Sequence, residues 1–323
     1  MKKKIRIIFI LYLVVVILTS CNNQVCCSYS ETTDNTTSAL SNQILQTTEI
    51  ESTTRNVELP ENLSFKSAAF YCVENKTMLF SRNLNKRIYP ASLTKLLTAC
   101  VAFKYAASDS VMKVSTELDL VNPGSSLCLI LKGHRLTLHD LAIGLLVASG
   151  NDAAYTIAVN VARQVKGNEN LSDTEAVDFF VKLMNDFAKD LGMKNSHFEN
   201  PDGWDDEKQY STAHDLLVLS EYALSVPEIK EIVGYNEKYV VFESGQNITW
   251  KNSNKLLDKN SAYYCKNAIG VKTGTTKNAG NCLIAAFSEN HRTYISVAIG
   301  CKSDNDRYEL TLQLFYSMIS SSK

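Results

Sequence analysis

The stretch Tyr89-Pro-Ala-Ser-Leu-Thr-Lys95 runs directly into an apolar segment that continues to Val101. Pro90 disfavours helix in the residue before it, so the helix that the apolar spacing indicates is expected to open at Ser92. Side chains three positions apart on a helix are neighbours, and the nitrogen of Lys95 can therefore reach the hydroxyl of Ser92. Free N–H groups and the positive end of the helix dipole would favour an oxyanion here.

A serine and a lysine at this spacing carry little weight alone, because a chain of 323 residues is expected to contain about one such pair by chance. A second copy, Ser110-Val-Met-Lys113, lies in a segment that the pattern predicts to be extended, so its two side chains would not share a helical face. The plain interpretation of the Ser92 copy is an N-cap serine followed by a solvated lysine. Two further motifs favour chemistry instead.

The second motif is Ser149-Gly-Asn151, which follows the apolar segment 141–147 and precedes a helical pattern over 152–165. This order predicts a tight loop between two buried helices, with the polar side chains directed into a cleft. An ordinary helix-to-helix turn, in which glycine ends one helix and asparagine caps the next, is the alternative.

The third motif is Lys272-Thr-Gly274, which follows an apolar strand pattern. The next apolar runs, 282–287 and 294–299, are predicted to pair as antiparallel strands, which would leave the motif on an edge strand. Lysine and threonine are common solvent-facing residues on such an edge. Gly274 lacks a Cβ atom, so it would let a substrate backbone approach and add to the edge as an extra strand.

In this order, the three motifs indicate an acyl-transfer site with a serine nucleophile, a set typical of penicillin-binding proteins and class A β-lactamases. Over roughly 63–319 the chain resembles the serine D-alanyl-D-alanine carboxypeptidases. The segments 197–205 and 209–215 are similar to the family's stretch between the second and third motifs. The resemblance implies an α+β fold, in which an antiparallel β-sheet and a helical cluster enclose the active site in a cleft between them.

The strand and helix patterns predict the same fold class. A hairpin is expected from Ala68–Val73 and Met78–Asn83, helices occupy the middle of the chain, and the final element, Glu309–Ile319, is expected to be helical. Strands are expected to return near four apolar residues, Val240, Val271, Ile284 and Ile295.

The resemblance also implies a role for each motif residue. Ser92 is the acylated nucleophile, Lys95 its general base, and Ser149 a proton shuttle toward the leaving amine. Asn151 would contact the substrate backbone, Lys272 and Thr273 would hold the terminal carboxylate, and the N–H groups of Ser92 and Thr275 would form the oxyanion hole; the substrate-binding set is Asn151, Lys272, Thr273, Gly274 and Thr275. Burial and the charge of Lys272 would lower the pKa of Lys95, as a base near neutral pH requires.

The implied reaction is removal of the terminal D-alanine from peptidoglycan stem peptides ending in D-Ala-D-Ala, without a cofactor and with β-lactam antibiotics as inhibitors. The alternatives are a β-lactamase, a D,D-endopeptidase and a non-catalytic penicillin sensor. No Glu-x-x-x-Asn loop follows the second motif to activate a deacylating water, although Glu199 and Asp202 are carboxylates in that region. The full set of polar site groups argues against a mere sensor.

Composition and residue spacing argue against a nucleic-acid-binding protein and against a metalloenzyme. A net charge of −1 with scattered lysine and arginine gives no basic face for nucleic acid. His134 and His139 are five positions apart and no His-Glu-x-x-His occurs, so neither a zinc peptidase nor another metal site is expected. Buried thiols are expected at six cysteines that lack Cys-x-x-Cys spacing: Cys72, Cys100, Cys128, Cys265, Cys282 and Cys301.

The N-terminus has the marks of an export signal. Four basic residues precede an apolar run over 7–18, and Leu18-Thr-Ser-Cys21 resembles a bacterial lipoprotein signal that ends at the lipidated cysteine. The predicted organisation is a signal peptide over 1–21, a polar flexible tether over 22–60 and a catalytic domain over 61–323. The protein is then expected at the outer face of the cell membrane, held by lipid on Cys21; an uncleaved anchor is the alternative.

Overall fold

The computed structural model describes residues 59–60 and 63–320. Within them, the strands are β1 (Ser67–Cys72), β2 (Thr77–Arg82), β3 (Val111–Lys113), β4 (Arg135–Thr137), β5 (Glu237–Val241), β6 (Asn247–Lys251), β7 (Ala268–Thr276), β8 (Gly280–Glu289) and β9 (Arg292–Cys301). The α-helices are α1 (Thr94–Tyr105), α2 (Leu138–Leu146), α3 (Asn151–Lys166), α4 (Asp173–Asp190), α5 (Ala213–Ser225), α6 (Pro227–Val233) and α7 (Asp304–Ser320).

Five strands form one antiparallel sheet in the order β2-β1-β9-β8-β7. Leu283 pairs with Ala298 and Phe287 with Tyr294, which confirms the predicted pairing of the two apolar runs. The predicted hairpin near the start of the domain is β1–β2. Strand β7 lies at an edge of the sheet, as predicted for the third motif. The α+β fold class is confirmed.

One strand differs from the expectation. The strand at Val240 is present as β5, but it pairs with β6 in a separate two-stranded sheet and does not join the main one. Val240 and Trp250 face the core while Tyr239 and Val241 are exposed, so only one face of this small sheet is buried, against the cluster that contains the helices.

The main sheet is buried on both faces, which explains the nearly continuous apolar runs of β8 and β9. Along β9, Ile295, Val297 and Ile299 face the helical cluster, whereas Tyr294 and Ala298 face α7. The face of the main sheet that is directed toward the helical cluster packs against α5, and the opposite face of the sheet is covered by α7. The fold therefore has three layers. In sequence, the helices α1–α6 lie between strand β2 and strand β7 of the main sheet.

The final helix begins at Asp304, earlier than the predicted Glu309. The hydroxyl of Ser303 accepts a hydrogen bond from the main-chain N–H of Asp306 at 3.1 Å and donates to its carboxylate at 2.6 Å. This polar cap starts the helix before the apolar periodicity becomes visible.

The six cysteines Cys72, Cys100, Cys128, Cys265, Cys282 and Cys301 are buried free thiols, which confirms their predicted burial. None of the helices in the described part of the chain is long and apolar enough to cross a bilayer. The signal over 1–21, its Cys21 and almost all of the tether over 22–60 lie outside the described residues. These assignments and the domain boundaries stay predictions.

Candidate active site

Ser92 and Lys95 are brought together at the start of α1. Residues Ala91–Leu93 form a 3-10 turn, and α1 continues directly from Thr94. Nζ of Lys95 lies 2.9 Å from Oγ of Ser92 and donates to the main-chain oxygen of Asp202 at 2.7 Å. Lys95 has 0% exposure, so its amine contacts the Ser92 hydroxyl inside the protein and away from bulk water.

Burial lowers the pKa of Lys95 to about 8, while the carboxylates of Asp202 and Asp152 act in the opposite direction. A free amine at neutral pH is therefore accessible, as a general base requires. The sequence predicts that the charge of Lys272 lowers the pKa of Lys95, whereas the clear effect of this pair is on Lys272. Burial first, and then the positive charges of Lys95 and Arg307, hold the pKa of Lys272 well below its ordinary value.

The second motif occupies the predicted tight loop between α2 and α3. Ser149 has a φ of 61°, in the left-handed region that costs a residue with a side chain about 1 kcal/mol or more. Helix α3 begins at Asn151, whose Nδ2 donates to Oδ2 of Asp202 at 2.5 Å. Ser149 is largely buried, with 8% of its surface exposed.

The third motif lies on the edge strand β7, but its polar residues are not solvent-facing. Lys272 and Thr273 are both buried. Oγ1 of Thr273 shares a hydrogen bond of 2.5 Å with Oγ of Ser253, which follows β6. The edge of the sheet therefore presents a buried amine and a hydroxyl side by side, a combination that can bind a carboxylate once the amine is protonated.

Gly274 lies in close contact with the turn that carries Ser92. A Cβ atom there would lie 3.1 Å from the main-chain nitrogen of Ser92 and 3.1 Å from Cβ of Ala91. On the side of the missing Cβ atom, the glycine is covered by residues 91–93. The close approach holds β7 against the turn that carries Ser92.

A second glycine, Gly203, packs closely against the same turn. Gly203 has a φ of +87°, and a Cβ atom there would lie 1.9 Å from the main-chain oxygen of Ala91. The following Asp205 accepts hydrogen bonds from Oγ1 of Thr276 at 2.6 Å and the N–H of Asn278 at 3.2 Å. The loop around Gly203 thus ties the Ser92 turn to the far end of β7.

The side chain of Thr275 is exposed beside the buried guanidinium of Arg307 from α7. Nη1 of Arg307 donates to the main-chain oxygens of Gly274 at 3.2 Å and Cys282 at 3.1 Å, and to Oγ1 of Thr275 at 3.3 Å. Arg307 therefore fixes the end of β7 from behind the sheet.

Three site residues were not found by sequence reasoning in these roles: Asp202, Ser253 and Arg307. The sequence indicates Asp202 only as a carboxylate in the region of a possible deacylating base, and its place in the similar segment 197–205 is the available signal. Ser253 and Arg307 lie outside every motif, so nothing in the sequence marks them. The second Ser-x-x-Lys copy lies on and beside β3, extended as predicted. Across the described residues, no cluster of three or more His, Cys, Asp or Glu could hold a metal ion.

A family model described as D-alanyl-D-alanine carboxypeptidase matches residues 54–303. The chain belongs to the D-alanyl-D-alanine carboxypeptidase family. Its curated relatives include D-alanyl-D-alanine carboxypeptidase DacF of Bacillus subtilis, 30% identical over 75% of this chain, and DacD of Escherichia coli, 35% identical over 72%. This family member spans 59% and 57% of the length of those two relatives.

A solved structure supports the assignment of the fold. The DD-transpeptidase of Streptomyces K15 superposes with a TM-score of 0.73 and 26% sequence identity, covering 81% of this chain and all of the other. The α+β architecture of the family member is therefore that of its family.

Proposed function

We propose that this chain is a serine D,D-carboxypeptidase that removes the terminal D-alanine from peptidoglycan stem peptides ending in D-Ala-D-Ala. The observation that carries the proposal is the 2.9 Å separation between the buried amine of Lys95 and the hydroxyl of Ser92. A serine hydroxyl beside a lysine whose pKa is lowered to about 8 is an activated nucleophile at neutral pH. Membership of the family supports the substrate class.

In the first half-reaction, Oγ of Ser92 attacks the carbonyl carbon of the penultimate D-alanine, and Lys95 takes the hydroxyl proton. The main-chain N–H groups of Ser92 and Thr275 stabilise the oxyanion. Ser149 passes a proton to the departing amine as the C–N bond breaks and free D-alanine leaves. Water then hydrolyses the ester on Ser92 and regenerates the hydroxyl.

The substrate lies along the edge strand β7 as an additional strand. Lys272 and Thr273 bind its terminal carboxylate, and the amide carbonyl of Asn151 accepts a hydrogen bond from its backbone. The arriving carboxylate favours the charged form of Lys272, which offsets the effect of burial on that amine. A β-lactam antibiotic occupies the same place and acylates the same serine.

Labelling with a fluorescent penicillin tests the nucleophile. The protein should be labelled covalently, and Ser92→Ala should lose the label while keeping its thermal unfolding temperature. Ser110→Ala is the matched control, since it removes the serine of the second Ser-x-x-Lys copy, and it should label normally. An adduct that maps to Ser110 by mass spectrometry would refute the proposed site.

We also propose that the protein is exported and anchored at the outer face of the cell membrane through lipid on Cys21. The basic and apolar pattern of residues 1–18 followed by Leu18-Thr-Ser-Cys21 supports this. Cys21→Ser should abolish the diacylglyceryl mass on the mature N-terminus. A mature wild-type protein that still begins at Met1 without lipid would favour an uncleaved anchor.

A further inference from the structure

The carboxylate of Asp202 lies at the centre of the contacts that join the first two motifs. It is 1% exposed, and its Oδ2 accepts from Nδ2 of Asn151 at 2.5 Å. Its Oδ1 accepts from the main-chain N–H of Trp204 at 3.1 Å. The main-chain oxygen of the same residue accepts from Lys95. One residue therefore contacts the amine beside the nucleophile and the amide of the second motif.

The contact with Asp202 decides which way the amide of Asn151 points. A carboxylate only accepts hydrogen bonds, so it holds the NH₂ group toward itself and directs the carbonyl oxygen away. That oxygen is the group that would accept from a substrate N–H. A partner able both to donate and to accept would let the amide turn over, and the NH₂ group would then face the substrate.

The charge of Asp202 also acts on Lys95. Desolvation favours the free amine, while a nearby carboxylate favours the ammonium, and the pKa of about 8 reflects both effects. The other groups that face Lys95 are Asp152 at the start of α3, the thiol of Cys128 and, from β7, the amine of Lys272. Burial raises the pKa of Asp202 itself, and the charge of Lys95 opposes this.

The same contacts argue against a role in activating the deacylating water. Both carboxylate oxygens already accept hydrogen bonds from protein donors, and the side chain has almost no exposed surface. A general base must reach the water whose proton it takes. The geometry therefore favours positioning over direct proton transfer.

We propose that Asp202 is a positioning residue, whose carboxylate fixes the carbonyl of Asn151 toward the substrate and whose charge acts on the amine of Lys95 that its main chain binds. The proposal rests on the proposed function, because it assigns the reacting groups as above. It adds a residue outside the three motifs to the machinery of the acyl-transfer site.

The direct test is the titration of Lys95 by NMR in lysine-labelled full-length protein, with the resonance identified by its loss in Lys95→Arg. Asp202→Asn removes the carboxylate and should lower the titration midpoint of Lys95 by about one pH unit or more. Glu199→Gln is the matched control on the same loop, where Glu199 contacts His197, and should leave the midpoint unchanged. An unchanged midpoint in Asp202→Asn would overturn the electrostatic part. Because no catalysis is needed, this result is independent of the proposed function.

The orientation of the amide is tested by exchanging the partners. Asp202→Asn should slow acylation by fluorescent penicillin and raise KM for a D-Ala-D-Ala peptide. The double variant Asn151→Asp with Asp202→Asn restores a donor facing an acceptor across the same gap, and should acylate roughly tenfold faster than Asp202→Asn alone. If the double variant is no faster, while both proteins keep the wild-type unfolding temperature, the positioning role is wrong.

Discussion

Nζ of Lys95 lies 2.9 Å from Oγ of Ser92. The lysine is completely buried in the first turn of α1, and the serine belongs to the 3-10 turn that precedes it. The short separation in sequence makes the contact local, while the surrounding loops exclude water. This combination places an amine with a lowered pKa directly beside the hydroxyl of Ser92.

The rate of acylation should therefore depend on pH through Lys95. Below the pKa of about 8, the fraction of free amine rises about tenfold per pH unit, so the rate should rise by the same factor. Above about pH 8 it should level off. Stopped-time labelling with fluorescent penicillin between pH 6 and 9 measures the profile, and a flat profile over that range would contradict the assignment of Lys95 as the base.

Lys95→Arg tests the same assignment by substitution. Arginine keeps the positive charge but supplies no free amine at neutral pH, so acylation should fall by roughly 10²–10⁴-fold. Lys113→Arg is the matched control from the second Ser-x-x-Lys copy, and it should acylate at the wild-type rate. Near-normal labelling of a folded Lys95→Arg protein would rule out this lysine as the base.

The close contact between Gly203 and the main-chain oxygen of Ala91 gives a prediction about the position of the Ser92 turn. In Gly203→Ala the new Cβ atom would lie 1.9 Å from the oxygen of Ala91, so the Ser92 turn must move, and a displacement of about 1 Å can cost 10²-fold in rate. Gly192→Ala is the control, because Gly192 has a similar φ of +84° but nothing within 4 Å of the added atom.

The control should lose only about 1–3 kcal/mol of stability from the left-handed backbone and should acylate normally. Penicillin labelling and thermal unfolding separate the two effects. Equal acylation by both variants would show that the contact with Ala91 does not hold the nucleophile turn.

Much of the fold could be predicted because its signals are local. The pairing of 282–287 with 294–299 follows from two apolar runs joined by a short turn, and β1–β2 follows in the same way. The separate sheet of β5 could not be predicted, since a strand pattern does not say which neighbour it joins. The early start of α7 depends on a cap at Ser303 that precedes the apolar periodicity.

In the candidate site, too, contacts between residues close in sequence could be predicted and contacts between distant residues could not. Ser92 and Lys95 are one helical turn apart, so their contact could be predicted from spacing alone. The contact of Asp202 with Lys95 joins residues 107 positions apart, and that of Arg307 with Gly274 joins residues 33 positions apart. No local pattern encodes such pairs, and only the packing of the loops and of α7 against β7 brings them together.

The central claim is tested most directly by measuring two turnovers on one preparation of the protein. Release of free D-alanine from a peptide ending in D-Ala-D-Ala should continue over many turnovers, while penicillin should persist as a long-lived adduct on Ser92. The difference is expected because the carboxylate of Asp202 is buried and already accepts hydrogen bonds from protein donors, whereas the ester of a short D-alanyl peptide is less hindered than a bulky penicilloyl ester. Shortening of cross-linked muropeptides without D-alanine release would favour an endopeptidase, and neither turnover would favour a sensor. Rapid hydrolysis of penicillin with no release of D-alanine would contradict the account and identify a β-lactamase.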